Sequence, residues 1–142
     1  MSDSGLEELP VILIVDDDDT TRMMLKMMLE GKHRGNLTQV KVATVSDGAS
    51  CISALRTRAI KPVLIIIDAL MPGINGFDLT KQLQADGIYK GPIFMLTALT
   101  GSDARNKAMG VGCTHFITKP VSPLKLYEDI VTFVPELLMQ TA

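Results

Sequence analysis

The chain has 142 residues, 46% of them hydrophobic and only 4% aromatic, with a formal charge of −2. That length supports one domain, whose core must be built from aliphatic residues and methionine. The charge gives no footing for a nucleic-acid or membrane surface, no apolar run reaches spanning length, and Cys51 and Cys113 match neither a metal spacing nor a disulfide framework.

The amino end, MSDSGLEELP, is polar and acidic, unlike a signal peptide. Residues 1–8 are read as an N-terminal extension, and reduced cysteines fit a cytoplasmic location. The first strand is expected at Val11–Val15, and it runs straight into Asp16, Asp17, Asp18 and Asp19. Four like charges at the end of a buried strand repel one another, so the run is either a solvated loop or the holder of a cation. A helix over Thr20–Glu30 follows, with Met24, Leu25, Met28 and Leu29 on one face, read as core packing. Lys32, His33 and Arg34 form the only basic cluster, short enough to be a solvated loop.

Strand and helix then alternate. Val40–Val45 precedes a helix over Asp47–Thr57, whose apolar face is Ala49, Ile52 and Leu55 or Ala59. Val63–Ile67 precedes Phe77–Ala85, and Ile93–Leu96 precedes Ser102–Met109, which Ser102 or Asp103 would cap. His115–Thr118 precedes Ser122–Val134, with Pro123 in its first turn and Pro135 to stop it. The tail, residues 135–142, carries Leu137, Leu138 and Met139; it either packs back or begins a connector. The strand runs are continuous rather than alternating, as in parallel strands covered on both faces. Five βα units predict an α/β fold with a single five-stranded, doubly wound parallel sheet and right-handed crossovers.

In such sheets ligands bind beyond the carboxyl ends of the strands. There the sequence places Asp16 and Asp17, Asp68, Thr97 and Lys119; the second strand has no such residue, which suits a sheet edge. Three facing carboxylates need a cation, and a hard divalent ion such as Mg²⁺, with Mn²⁺ as substitute, suits oxygen donors. An aspartate can attack phosphorus, while metal and lysine offset the charge on the phosphoryl oxygens. No glycine-rich nucleotide cradle is present. Neither His33 nor His115 has a visible partner, so both read as exposed or structural.

Two phosphoaspartate families begin this way. Asp16, Asp18 and Thr20 match the D-x-D-x-[TV] start of haloacid dehalogenase-like phosphatases, with Asp16 as nucleophile and Thr97 and Lys119 as later motif residues. That family needs a further acidic strand after its lysine, yet only Glu128 and Asp129 follow, as the solvated edge of a helix, and Asp68 is left without a role. A flavodoxin-like binding module with no phosphorylation is the third reading.

The segment IIIDALMPGINGFDL, Ile65–Leu79, closely resembles the phosphoacceptor segment of response-regulator receiver domains, and LIVDDD, MLTA and FITKP match the family's other landmarks in order and spacing. The resemblance covers residues 9–134, the expected receiver domain, and implies a flavodoxin-like (βα)5 sheet of order 2-1-3-4-5. It implies a signalling module of a two-component phosphorelay rather than an enzyme, taking a phosphoryl group from a histidine kinase or histidine phosphotransfer protein. By the same resemblance Asp68 is the phosphoacceptor, Asp17 the direct Mg²⁺ ligand with Asp16 assisting, and Asp68 and the Leu70 carbonyl complete the ligands. Thr97 is the switch hydroxyl, Ala98 the small residue that leaves room for phosphate, Lys119 the family's lysine and Phe116 the aromatic switch, turning inward on phosphorylation. The Lys119–Pro120 bond is expected to be cis. Asp18 and Asp19 have no family role and suit the helix start. Residues 102–109, 115–118 and 122–134 form the face toward an output partner or a phosphorylation-dependent dimer. Leu70 and Leu99 stand where relatives often carry polar residues that orient water, which predicts a long-lived phosphoryl group.

Overall fold

Five aliphatic runs become five parallel strands: β1 (Val11–Val15), β2 (Lys41–Val45), β3 (Leu64–Ile67), β4 (Ile93–Thr97) and β5 (His115–Thr118). The computed structural model describes residues 8–140, so most of the expected N-terminal extension and the last two tail residues lie outside the described residues. The strands lie in the order β2-β1-β3-β4-β5, as expected, with β2 at an edge. Between them run α1 (Asp19–Glu30), α2 (Gly48–Arg56), α3 (Gly76–Ala85), α4 (Ser102–Gly110) and α5 (Pro123–Phe133).

Alternate residues of each strand feed two cores. Leu13, Val15, Ile65, Ile67, Ile93 and Met95 face one side, where Cys51 and Leu55 of α2, Phe77, Leu79 and Leu83 of α3 and Ala108 of α4 cover them. Ile12, Ile14, Leu64, Ile66, Phe94 and Leu96 face the other, under Leu25 and Leu29 of α1 and Leu126, Tyr127 and Ile130 of α5. Both cysteines are buried free thiols.

The methionines of α1 depart from expectation. Leu25 and Leu29 are fully buried, each contributing about 1.5–3 kcal/mol. Met28 is only partly covered, and Met23, Met24 and Met27 are 64%, 41% and 69% exposed. Two leucines one turn apart suffice to seat a helix at the sheet edge, and the methionines beside them face outward. They line an open groove of about 420 Å³ with Thr20.

Helix α4 starts differently from the expected Ser or Asp cap. Its cap position is Gly101, at φ 98, and no side chain accepts from its first turn. A positive φ is available to glycine without strain, so the turn is set by backbone rather than by a cap. The tail packs back as far as the described residues go. Pro135–Leu137 form a 3₁₀ turn, Leu137 is buried, and Thr38 N–H donates to the Leu137 carbonyl at 2.8 Å.

Candidate functional site

Strand register assembles the site. Val15 pairs with Ile67, so Asp16 and Asp68 leave the sheet side by side. Thr97 pairs with Thr118, which brings Lys119 across from the end of β4. The result is that Asp16, Asp17 and Asp68 each offer an oxygen within 4.8 Å of one another. Asp16 and Asp68 are buried and Asp17 is exposed. Lys119 Nζ donates to Asp16 Oδ2 at 3.0 Å and to Asp68 Oδ2 at 3.4 Å. Thr97 is fully buried, and its hydroxyl oxygen accepts from Leu99 N–H at 3.3 Å. The Lys119–Pro120 bond is cis.

The four aspartates of the β1–α1 loop have four separate settings. Asp16 Oδ1 accepts from Asp18 N–H at 2.9 Å while its other oxygen holds Lys119. Asp18 caps α1, accepting from the Thr21 amide and hydroxyl, and those bonds hold its pKa below the ordinary value. Asp19 pairs with Arg22. Asp17, among the described residues, has neither a hydrogen bond nor an ion pair of its own through its carboxylate. A hard cation is the natural partner for such a carboxylate placed beside two buried ones.

Charge reinforces this reading. Burial raises the Asp68 pKa; the charge of Lys119 and the amide of Leu70 pull it down without prevailing, and Asp16 adds repulsion. Burial works against the Lys119 ammonium too, but hydrogen bonds and charge from Asp16 and Asp68 outweigh it and lift its pKa. The pocket therefore has more negative charge than one lysine offsets. Carboxylate oxygens in a partly buried cluster are the donor set that Mg²⁺ takes, so the residues fit that ion.

Close packing behind Asp68 fixes its position. Asn75 caps α3 by accepting from Asp78 N–H at 2.9 Å. At Gly76 an added Cβ would stand 2.3 Å from the Asp68 carbonyl oxygen, so only glycine lets α3 start against the end of β3. Phe116 is 3% exposed, already inward, with the Arg105 guanidinium 5.4 Å from its ring centre. Leu99 packs against the core, whereas Leu70 is 55% exposed.

Two readings from sequence need correction. His115 does have a partner: its Nε2 lies 2.9 Å from Asp129 Oδ2. Asp129 is accordingly buried rather than part of a solvated helix edge, and Lys125 Nζ holds its other oxygen at 2.8 Å. Periodicity marked position 129 as the polar flank of α5; it could not show that a histidine on β5 lies beneath it. One residue of the site also went unnoticed, Arg22, and Gly76 stood in the quoted segment without its packing role. The signal for Arg22 was a lone cation in the first turn after the acidic run.

Comparison with known proteins agrees with this geometry. Residues 12–131 match the model of the response regulator receiver domain. The phosphate regulon transcriptional regulatory protein PhoB of Pseudomonas aeruginosa is 35% identical over 61% of this chain and 42% of its own length. Hybrid signal transduction histidine kinase D of Dictyostelium discoideum is 34% identical over 66% of this chain and 6% of its own. The chain thus spans less than half the length of these relatives. Among solved structures, the Vibrio cholerae chemotaxis protein CheY4 superposes with a TM-score of 0.76 at 27% identity, covering 89% of this chain and 99% of that one. A receiver domain protein of Methanospirillum hungatei, 22% identical, has the same fold at a TM-score of 0.76, covering 92% and 97%.

Proposed function

This chain belongs to the response regulator receiver family of two-component signalling, and on that premise we propose that Asp68 accepts a phosphoryl group from a phosphohistidine donor, with Mg²⁺ held by Asp16, Asp17, Asp68 and the Leu70 carbonyl. The family match sets aside the phosphatase reading, and Asp129, tied to His115 and Lys125, is unsuited to serve as that family's late metal ligand. A binding module without phosphorylation gives no reason for three carboxylates to converge beside Lys119.

The observation that carries the reading is the convergence of three carboxylates and Lys119 on one point beyond β1, β3 and β5. An Asp68 oxygen forms the new bond to phosphorus as the phosphorus–nitrogen bond of the donor breaks, and the leaving imidazole takes up a proton. Lys119 stands ready to pair with the phosphoryl oxygens, exchanging part of its contact with Asp68 for them. The Thr97 hydroxyl can donate to another phosphoryl oxygen, and Ala98 leaves space beside it. Bound Mg²⁺ would neutralise charge shared by the carboxylates and the incoming group. Burial around Asp16 and Asp68 keeps bulk water from competing for these contacts.

The donor is a histidine kinase or a histidine phosphotransfer protein, and it must bring its imidazole to the rim where α1 begins. The exposed methionines there are adaptable apolar surface for a protein partner. An output partner, or a second copy of the phosphorylated chain, would meet the face formed by residues 102–109, 115–118 and 122–134. Residues 9–134 act as the receiver, and the turn at Pro135–Leu137 closes it against the Leu37 region. In this structure Phe116 is already inward, so phosphorylation would stabilise that rotamer through Thr97 rather than create it.

The test is incubation with a small acyl phosphate and Mg²⁺, read by intact mass. Wild type should gain one phosphoryl group and Asp68→Asn none. A gain that survives Asp68→Asn but disappears in Asp16→Asn would replace this reading with the phosphatase one. No gain in any form would leave a binding module.

A further inference from the structure

We infer that Arg22 is a positioning residue for the metal-binding loop: its guanidinium fixes the peptide after Asp16 so that Asp17 points at the cation. The inference rests on the reading of Asp16, Asp17 and Asp68 as a Mg²⁺ site. Asp17 has no side-chain partner of its own among the described residues, so its direction must come from the two peptides that flank it. Both are held. Arg22 Nη1 donates to the Asp16 carbonyl oxygen at 2.6 Å, which fixes the peptide plane before Asp17. Asp18 N–H donates to Asp16 Oδ1 at 2.9 Å, which fixes the plane after it. A peptide is rigid, so pinning both planes leaves Asp17 little freedom of φ and ψ.

The environment of Arg22 suits that task. Its side chain is 17% exposed, whereas that of its ion-pair partner Asp19 is 89% exposed. The guanidinium thus lies under the loop with its second amino group tied to Asp19. A planar fork can hold two oxygens at a fixed angle, and an ammonium cannot. The charge of Arg22 repels a dication. If charge alone mattered, removing it would tighten metal binding; if geometry matters, removing it weakens binding. The sign of the change therefore separates the two.

The experiment titrates Mn²⁺ into the metal-free chain and follows the free ion by electron paramagnetic resonance, for wild type, Arg22→Gln, Arg22→Lys and Asp19→Asn. Partners that orient a ligand typically contribute about 10–100-fold to affinity, so Arg22→Gln should bind Mn²⁺ about tenfold more weakly. Arg22→Lys, which keeps the charge and loses the fork, should also bind more weakly than wild type. Asp19→Asn, which leaves the carbonyl bond in place, should stay within about twofold, the effect of one exposed charge. Amide exchange at Asp17 and Asp18 should quicken in metal-free Arg22→Gln, and phosphorylation at saturating Mg²⁺ should return to the wild-type rate. Unchanged or tighter Mn²⁺ binding in both arginine variants, with only thermal stability reduced, would overturn the inference and leave Arg22 as a staple of α1. Wild type that binds no Mn²⁺ would overturn the metal site itself, a different result from a site that binds equally well without Arg22.

Discussion

The loop from β1 to α1 and the loop from β4 to α4 both border Asp68, and they are built on opposite plans. In the first, Asp18 caps the helix, Arg22 holds the loop from below, and fully buried Leu25 and Leu29 seat the helix on the sheet. In the second, Gly101 supplies the turn without a capping side chain, and Ala108 is the one buried side chain of α4. What holds α4 down besides partial packing of Ala104 is Arg105 over the Phe116 ring and Lys107 over the Phe77 ring, at 5.4 and 4.7 Å. Such cation–π contacts contribute about 0.5–1 kcal/mol each at exposed sites, well below two buried leucines. One side of the site is held by many contacts and the other by few. A receiver needs both, because the metal must be met by preset ligands while the signal must leave through something that moves.

The largest contrast should appear in hydrogen exchange. Central amides of α1 should exchange at least about 100-fold more slowly than those of α4, since local opening follows the contacts an element loses. Equal protection of the two helices would break the comparison. Metal binding should divide the same way. Asp17→Asn should cost at least about tenfold in Mn²⁺ affinity, because few protein oxygens are offered and each counts. Thr97→Ala, at the end of β4 on the less tightly held side, should leave that affinity unchanged while slowing the response to phosphorylation. A loss of affinity in Thr97→Ala equal to that in Asp17→Asn would mean the two loops act as one unit.

Much of the rigid side was readable in the residues. Five aliphatic runs with polar residues at their ends implied a parallel sheet and the place of its site, and the strand bounds agree to within a residue or so because such runs leave little choice of register. What escaped the sequence depended on neighbours distant in the chain. Met24 has the helical spacing of a core residue, but at the sheet edge the buried stripe narrows to Leu25 and Leu29. Asp129 reads as a polar flank until β5 brings His115 within 2.9 Å. Helix α4 reads as an ordinary helix, and its weak hold shows only once few of its side chains find a core.

The lifetime of the phosphoryl group tests what borders Asp68 on the β3–α3 and β4–α4 loops. Leu70 is 55% exposed beside Asp68, and Leu99 packs against the core just past Thr97. Neither can hold a water by hydrogen bonds. Replacing Leu70 by Asn, and Leu99 by a polar residue as well, should speed decay by up to about tenfold, or ~1.4 kcal/mol in the barrier. The exposed Leu70 should account for most of it, since it can change without disturbing the core. Equal decay of wild type and both variants would show that water alignment at these positions is not limiting.

The smallest expected effect concerns acid, and again the two sides should differ. The β5–α5 half has a polar strut: Asp129 accepts from Lys125 at 2.8 Å and meets His115 at 2.9 Å, and His115 stacks on Phe133 with ring centres 4.6 Å apart. Seating of α1 depends on leucine and on a different polar link, Glu30 accepting from Val42 N–H at 2.7 Å and Lys26 donating to the Val42 carbonyl at 3.1 Å, with no histidine in it. Burial tends to raise the Asp129 pKa, but the hydrogen bonds from Lys125 and His115 outweigh it, and the carboxyl titrates below its ordinary value. A carboxylate depressed on folding contributes stability above its unfolded pKa, near 3.9, and loses it as pH falls through that value toward the folded one. Wild type should therefore exceed Asp129→Asn in stability by about 1–2 kcal/mol at neutral pH, the figure held down because Lys125 is largely exposed. The gap should shrink below about pH 4. Subtracting the variant from wild type cancels the groups the two share. Denaturant unfolding across that range measures the gap, and exchange of the α5 amides should show where it is lost. A gap that widens as pH falls through about 4 would mean that the buried carboxyl is held in its neutral form, reversing the sign assigned to this strut.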